Sequence, residues 1–163
     1  MAVASKVDEV RKELDRLAGS VHSASELMEK IVRLLHKRML KYNWVGFYML
    51  ENSSGGRPDM LVLGPFQGAM TPHTRIPLNQ GICGAAAATG KTLVIDDVSA
   101  DARYLPCSSE TKSEIVVPIF VKNEVVGELD IDSHFPAAFD HEDRELVQHC
   151  AALVGKFLER PGA

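Results

Sequence analysis

Three carboxylates stand where acid–base or cation-binding chemistry could be carried out. Glu114 opens an apolar run, Glu114-Ile115-Val116-Val117-Pro118, and Asp130 and Asp132 alternate with apolar residues in Leu129-Asp130-Ile131-Asp132-Ser133. Period-two alternation belongs to a strand and puts Asp130 and Asp132 on one of its faces. Two like charges so close disfavour double ionisation, so at least one carboxyl pKa should rise. Such a carboxyl can hold a proton near neutral pH and donate it, while an ionised neighbour can pair with a bound cation. A merely solvated face would also carry acids. However, Leu129 and Ile131 occupy the opposite face, and a helix-covered sheet has few solvated faces, which favours a site.

The three cysteines differ in context. Cys107 lies in Tyr104-Leu105-Pro106-Cys107-Ser108-Ser109, a loop with polar residues after the sulfur. Structural cysteines are usually surrounded by apolar neighbours, and a loop thiol is more often accessible; the local sequence leaves a reactive and an incidental role both open. Cys83 lies between glycines in Gly81-Ile82-Cys83-Gly84, near the start of a short helix whose dipole would favour thiolate. A small residue packed at a tight turn is the simpler reading of Cys83 from its local sequence. Cys150 falls on the apolar face of the last helix and reads as core. Trp44 and Tyr48, four apart on a strand, share a face; they could be core or could wall an apolar pocket.

One apparent motif is discounted. Ala85–Thr92 (AAAATGKT) is close to a phosphate-binding loop. That motif needs a strand before the loop and a helix after it, and here the order is reversed.

These residues need elements to hold them. Val7, Val10, Leu14 and Leu17 mark a first helix ended by Gly19, and a second runs from about Ser25 to Leu40. Asn43–Leu50 and Met60–Phe66 form a hairpin across the Asn52–Asp59 turn, and Arg75–Pro77 is a short extended piece. Gly81–Thr89 is a helix of small residues with Gly90 as its C-cap. Thr92–Ile95 is a buried strand, followed by a long polar loop over Asp96–Thr111. Ser113–Val121 and Val125–Asp132 form a second hairpin turning at Lys122-Asn123-Glu124. Asp140 caps the last helix, with Asp143 in a capping-box position. The expectation is an α+β fold, an antiparallel sheet of five or six strands packed with helices.

At 163 residues the chain is one ordinary domain: N-terminal helices over 1–40, sheet and active-site loops over 43–133, and a C-terminal helix over 140–158. A net charge of −4 offers no basic face, so neither nucleic acid nor an anionic membrane is expected as a partner. The first residues lack the apolar segment of a secretory signal, and no stretch is long enough to span a bilayer. With three cysteines, too few for a disulfide scaffold, a reducing cytoplasmic location is expected.

Taken together, the segments Asn43–Tyr48, Leu61–Gly68, Arg75–Pro77, Gly81–Gly84, Ser113–Pro118 and Leu129–Ser133 resemble the GAF-type free methionine-(R)-sulfoxide reductases. The resemblance spans about residues 25 to 155. It implies a GAF fold and no cofactor. It also implies Cys107 as catalytic thiol, Cys83 as resolving thiol, and a substrate pocket lined by Trp44, Tyr48, Glu114, Asp130 and Asp132. Many members carry another cysteine two residues before the Arg-Ile-Pro segment, where this chain has His73; resolution then falls to Cys83 or to an external thiol. A thioredoxin-like dithiol protein would reset the enzyme, and a homodimer is compatible with the family and the N-terminal helices.

The chemistry implied is attack of the Cys107 thiolate on the sulfoxide sulfur, with the oxygen protonated by a carboxylic acid and lost finally as water. Carboxylates would select a free amino acid through its ammonium group, and the aromatic rings would enclose the S-methyl. The competing expectation is a non-catalytic GAF small-molecule sensor with incidental cysteines. A metal site on His73, Cys83 and Cys107 fits no short ligand spacing and is not expected.

Overall fold

The computed structural model describes residues 5–51, 59–105 and 109–161. The elements run α1 (Lys6–Ala18), α2 (Ala24–Arg38), β1 (Trp44–Glu51), β2 (Met60–Gln67), β3 (Arg75–Pro77), α3 (Gly81–Thr89), β4 (Leu93–Ile95), a 3₁₀ turn (Val98–Ala100), β5 (Ser113–Val121), β6 (Glu124–Ser133) and α4 (His141–Leu158). One six-stranded sheet results, in the order β3-β2-β1-β6-β5-β4, with all neighbours antiparallel.

Period two in the central strands divides the molecule into two layers. Val45 and Phe47 of β1, Ile115, Val117 and Ile119 of β5, and Leu129 and Ile131 of β6 join one core with α1, α2 and α4. Burying each of the larger side chains is worth roughly 1.5–3 kcal/mol. The alternate residues Trp44, Tyr48 and Val116 join a second, smaller cluster with Ile82, Cys83, Ala86 and Ala87 of α3. The first core makes the sheet rigid, and the second face carries the pocket.

Local chemistry fixes the ends of the elements. Ser5, Ser23 and Asp140 cap α1, α2 and α4 by accepting from backbone N–H groups, and Asp140 with Asp143 completes the expected capping box. Gly90 ends α3 in the left-handed conformation. Against two residues of β1, Gly46 to Tyr48, the partner β2 advances three, Phe66 to Leu63; the extra residue falls at Gly64-Pro65, where proline has no N–H to lose.

Several boundaries differ from the sequence expectations. α2 stops at Arg38, with Leu40 78% exposed, so its last apolar residue does not extend the buried stripe. β4, expected to be buried, is a half-buried edge strand, because among the described residues no strand lies beyond it. The β5–β6 turn needs only Lys122 and Asn123, both with positive φ, and Glu124 already pairs with Val121. The Asp96–Thr111 stretch is tied down by buried Val98, whose N–H donates to the Lys112 carbonyl at 2.9 Å. The expected turn at Asn52–Asp59 lies, up to position 58, outside the described residues, as does Cys107. No helix among the described residues is long and apolar enough to cross a membrane.

Candidate active site

The carboxylates come from adjacent strands in register. Glu114 of β5 is paired with Asp132 of β6, and Asp132 in turn with Trp44 of β1. Two residues further along, Asp130 lies between Val116 and Gly46, and then Glu128 between Pro118 and Tyr48. Three acids and two aromatics therefore share one face of the three central strands, and Glu114 adds a fourth acid. All are buried; the most accessible of them, Trp44, is 8% exposed.

Backbone space matters at two points. A Cβ on Gly46 would lie 2.3 Å from the Trp44 indole, so the bare backbone there lets the ring fold over the strand. A Cβ on Gly84 would lie 2.9 Å from the carbonyl oxygens of Pro77 and Leu78, so glycine allows the first turn of α3 to sit against the end of β3. That approach sets Cys83 over the acidic face.

The aromatic wall is held from both sides. Trp44 stacks on Phe66 at 5.7 Å between centroids and leans on Tyr48 at 6.2 Å. Its indole N–H donates to the Ala69 carbonyl at 3.0 Å, and the Tyr48 hydroxyl donates to the His73 carbonyl at 2.7 Å. These bonds lay the loop before β3 along the rim. The His73 N–H donates to the Thr71 hydroxyl at 3.1 Å, which orders the loop further.

Between these walls is a cavity. Trp44 and Tyr48 form one wall; Glu114, Asp130 and Asp132 form the floor; Cys83, Ile82 and Gly81 of α3 form the roof; Thr71 and His73 close one side. Leu105, two residues before Cys107, also lines it. Of the site residues expected from sequence, all but Cys107 therefore meet in one pocket, and Cys107 lies outside the described residues. Cys150 is fully buried in the helical core, with its thiol pushed up to about 12 by burial.

The electrostatics follow from burial. Glu114 is held well above the usual carboxylate range by desolvation and then by the charges of Asp130 and Asp132, with which it shares hydrogen bonds. Asp130 is raised by burial too, partly offset by hydrogen bonds from Glu114 and Cys83. Cys83 is not the thiolate that a helix start would favour but a packed thiol pushed well up by burial and by the charges of Asp130, Glu128 and Glu114. The carboxylates below it outweigh the partial charge of one short helix.

Glu128 was not anticipated. It is fully buried, with neither carboxylate oxygen in a conventional hydrogen bond, and the Cys83 thiol is among its polar neighbours. Burial and then the charge of Asp130 raise it. The signal was available, since Glu128-Leu129-Asp130-Ile131-Asp132 extends the same alternation by one step. Gly46 was equally readable only after Trp44 was placed.

Comparison with known proteins agrees with this arrangement. The family model for the GAF domain matches residues 23–158. The free methionine-R-sulfoxide reductase of Escherichia coli is 41% identical over 125 residues, which are 77% of this chain and 72% of that protein. The free methionine-R-sulfoxide reductase of Neisseria meningitidis, solved in complex with its substrate, superposes with a TM-score of 0.86 at 34% identity, covering 98% of this chain and 93% of that one. The reduced form of the fRMsr of Staphylococcus aureus gives 0.85 at 32% identity, over 97% and 99% of the two chains. Fold, sequence and a pocket on the expected face converge: the chain belongs to the GAF-domain family and, within it, to the free methionine-R-sulfoxide reductases.

Proposed function

We propose that this chain reduces the R epimer of free methionine sulfoxide to methionine, with Cys107 as the attacking thiol. The observation that supports this best is the meeting of three buried acids, two aromatic rings and the Cys83 thiol around one cavity. An amino acid presents a cation at one end and a methyl sulfoxide at the other. The ammonium group would sit against Glu114, Asp130 and Asp132, and the S-methyl against Trp44 and Tyr48. A sulfur against aromatic edges gains roughly 0.3–1.5 kcal/mol. A methionine within a peptide has no ammonium, so the acids would be buried without their cation, which disfavours that substrate strongly.

In the chemical step the Cys107 sulfur bonds to the substrate sulfur, and a raised carboxyl of the cluster delivers a proton to the sulfoxide oxygen. Collapse transfers that oxygen to Cys107, leaving methionine and a sulfenic acid. The Cys83 thiol condenses with the sulfenic acid, releasing water and forming a Cys83–Cys107 disulfide. A thioredoxin-like dithiol protein returns both thiols by exchange, as a reducing cytoplasm would allow. Leu105, two residues before Cys107 in sequence, lines the pocket, which supports this role for Cys107.

The test is incubation with each epimer of free methionine sulfoxide and a dithiol reductant, followed by amino-acid analysis. Methionine should form from the R epimer and not from the S epimer. Binding of the R epimer with no methionine formed would instead favour a sensor.

A further inference from the structure

We propose that the pocket floor is also a reversible binding site for a thiophilic divalent cation, Zn²⁺ in the first instance, held by Cys83 Sγ and by carboxylate oxygens of Glu114 and Asp130. One donor atom from each of these three buried residues lies within 4.8 Å of the other two. Around a tetrahedral zinc with the usual Zn–S and Zn–O lengths, such donors stand about 3.5 Å apart. Side-chain rotations that close the set by about 1 Å are sufficient. The donors come from three separate elements, β5, β6 and α3, which arrive from different directions, as a three-ligand site requires.

An acidic cluster alone would not carry this inference. The independent observation is that Asp130 Oδ1 and both oxygens of Glu128 are buried side-chain acceptors without a hydrogen-bond partner. Asp130 borders the cavity, and Glu128 abuts the Cys83 thiol. Unpaired carboxylate oxygens in a dry site are expensive, and a cation is what relieves them. The balance is simple. Cys83, Glu114 and Asp130 bind as thiolate and carboxylates and release to solvent the protons that burial favours on them, so two positive charges meet three negative ones with no change of oxidation state. A coordinated thiol loses its proton outright, so the metal reverses the bias of the free site toward the protonated form.

The ligand set also gives a selectivity. A thiolate donor favours Zn²⁺ or Co²⁺ over Mg²⁺ and Ca²⁺, which take oxygen donors only. The fourth position opens into the cavity, so the cation would occupy the place of a substrate ammonium and sequester Cys83. Binding there is therefore competitive with an amino acid cation.

The experiment uses the full chain carrying Cys107→Ser, which removes the proposed catalytic thiol and with it all turnover, so its outcome is independent of the proposed reductase activity. Titration with Co²⁺ should give one equivalent of binding and a thiolate-to-cobalt charge-transfer band in the near ultraviolet. Adding Cys83→Ser should abolish the band and weaken binding at least 100-fold, and adding Asp130→Asn should weaken it at least 10-fold. Excess Mg²⁺ should displace nothing. In the unsubstituted chain, Zn²⁺ should protect Cys83 from alkylation, read by peptide mass. That measurement holds even if a variant fails to fold. A band that survives Cys83→Ser, the absence of a band with Cys83 present, or alkylation of Cys83 at the same rate with Zn²⁺ would each overturn the proposal.

Discussion

Glu114 on β5 and Asp132 on β6 are register partners, so two acids leave adjacent strands directly opposite each other on one buried face. Residues so placed have Cβ atoms about 5 Å apart, and like charges there oppose folding. A strand pair keeps such an arrangement where a cation is to be received. Asp132→Asn retains the shape and removes one acid from the cluster. Catalytic efficiency on free R-sulfoxide should fall about 10- to 100-fold, the worth of one charge-assisted contact, while urea unfolding should show no loss of stability. Steady-state kinetics beside a denaturation curve checks both halves; unchanged kcat/KM would remove Asp132 from the site.

Glu128 makes stability depend on pH in a direction unusual for a carboxylate. Burial raises its folded pKa above the ordinary value of 4.5, so the folded state holds a proton that the unfolded chain releases. The stabilisation is complete below the unfolded pKa and is lost as pH rises from there toward the folded pKa. Glu114 and Asp130 act in the same sense. Unfolding free energy should therefore decline with rising pH above about 4.5, by up to about 1.4 kcal/mol per pH unit for each such group. Glu128→Gln should flatten the slope by one group and be more stable than the parent at pH 8. Denaturation midpoints across a pH series measure this, and an identical slope in the variant would contradict it.

Gly46 gives a test of the aromatic wall that leaves every polar group in place. A methyl there meets the Trp44 indole at 2.3 Å, so the ring must swing from its stack on Phe66. Gly46→Ala should raise KM roughly tenfold, about 1.4 kcal/mol, with a shifted tryptophan emission spectrum; the single tryptophan makes the signal unambiguous. Normal KM together with shifted emission would show that the wall does not contact substrate.

How much of this was legible beforehand depends on how local the signal is. Asp140 and Asp143 announced the start of α4 because a capping box lies within four residues, and Ser113–Val121 was readable end to end from its apolar run. Asp130 and Asp132 could be assigned to a shared face because alternation is local too. The layer each face meets was not readable, since it depends on α3 crossing over one side of the sheet and α4 over the other. Glu128 continued the local alternation, but nothing nearby in sequence said that a helix would bury its face, and a place at a helix start did not fix the electrostatics of Cys83. Its pKa is set by acids 31 to 47 residues away in sequence, brought beneath it by the sheet. Edge strand β4 looked buried for the converse reason: its residues are apolar, but among the described residues no strand pairs with its outer side.

Cys150 serves as the control thiol. It is wholly enclosed among α4 and the helical core and has no route to the pocket face. Cys150→Ala should leave kcat and KM within error and cost about 1 kcal/mol, as a small core truncation does. Turnover assays with a melting curve decide this, and loss of activity in a folded variant would give Cys150 a role.

The resolving step gives the most discriminating prediction, because His73 and Cys83 border the same cavity. With histidine at position 73, Cys83 is the pocket thiol available to meet oxidised Cys107. Closing a loop of this length costs roughly 3–4 kcal/mol of chain entropy in the unfolded state, which is no obstacle to forming the bond. The Cα atoms must come within about 7 Å, and that requirement falls on the Cys107 loop, since Cys83 is fixed by the packing of α3. A raised thiol pKa suits Cys83 to this part. It stays protonated and leaves the first attack to Cys107. After one turnover without reductant, peptide mapping should find Cys83 bonded to Cys107. Cys83→Ser should release one methionine per chain and then stall with thioredoxin-type reductants, while small thiols restore turnover. Adding His73→Cys to that variant should recover turnover by the protein reductant, because position 73 is held at the rim by the Tyr48 hydroxyl on its carbonyl. Undiminished protein-driven turnover in Cys83→Ser alone would place the resolving thiol elsewhere.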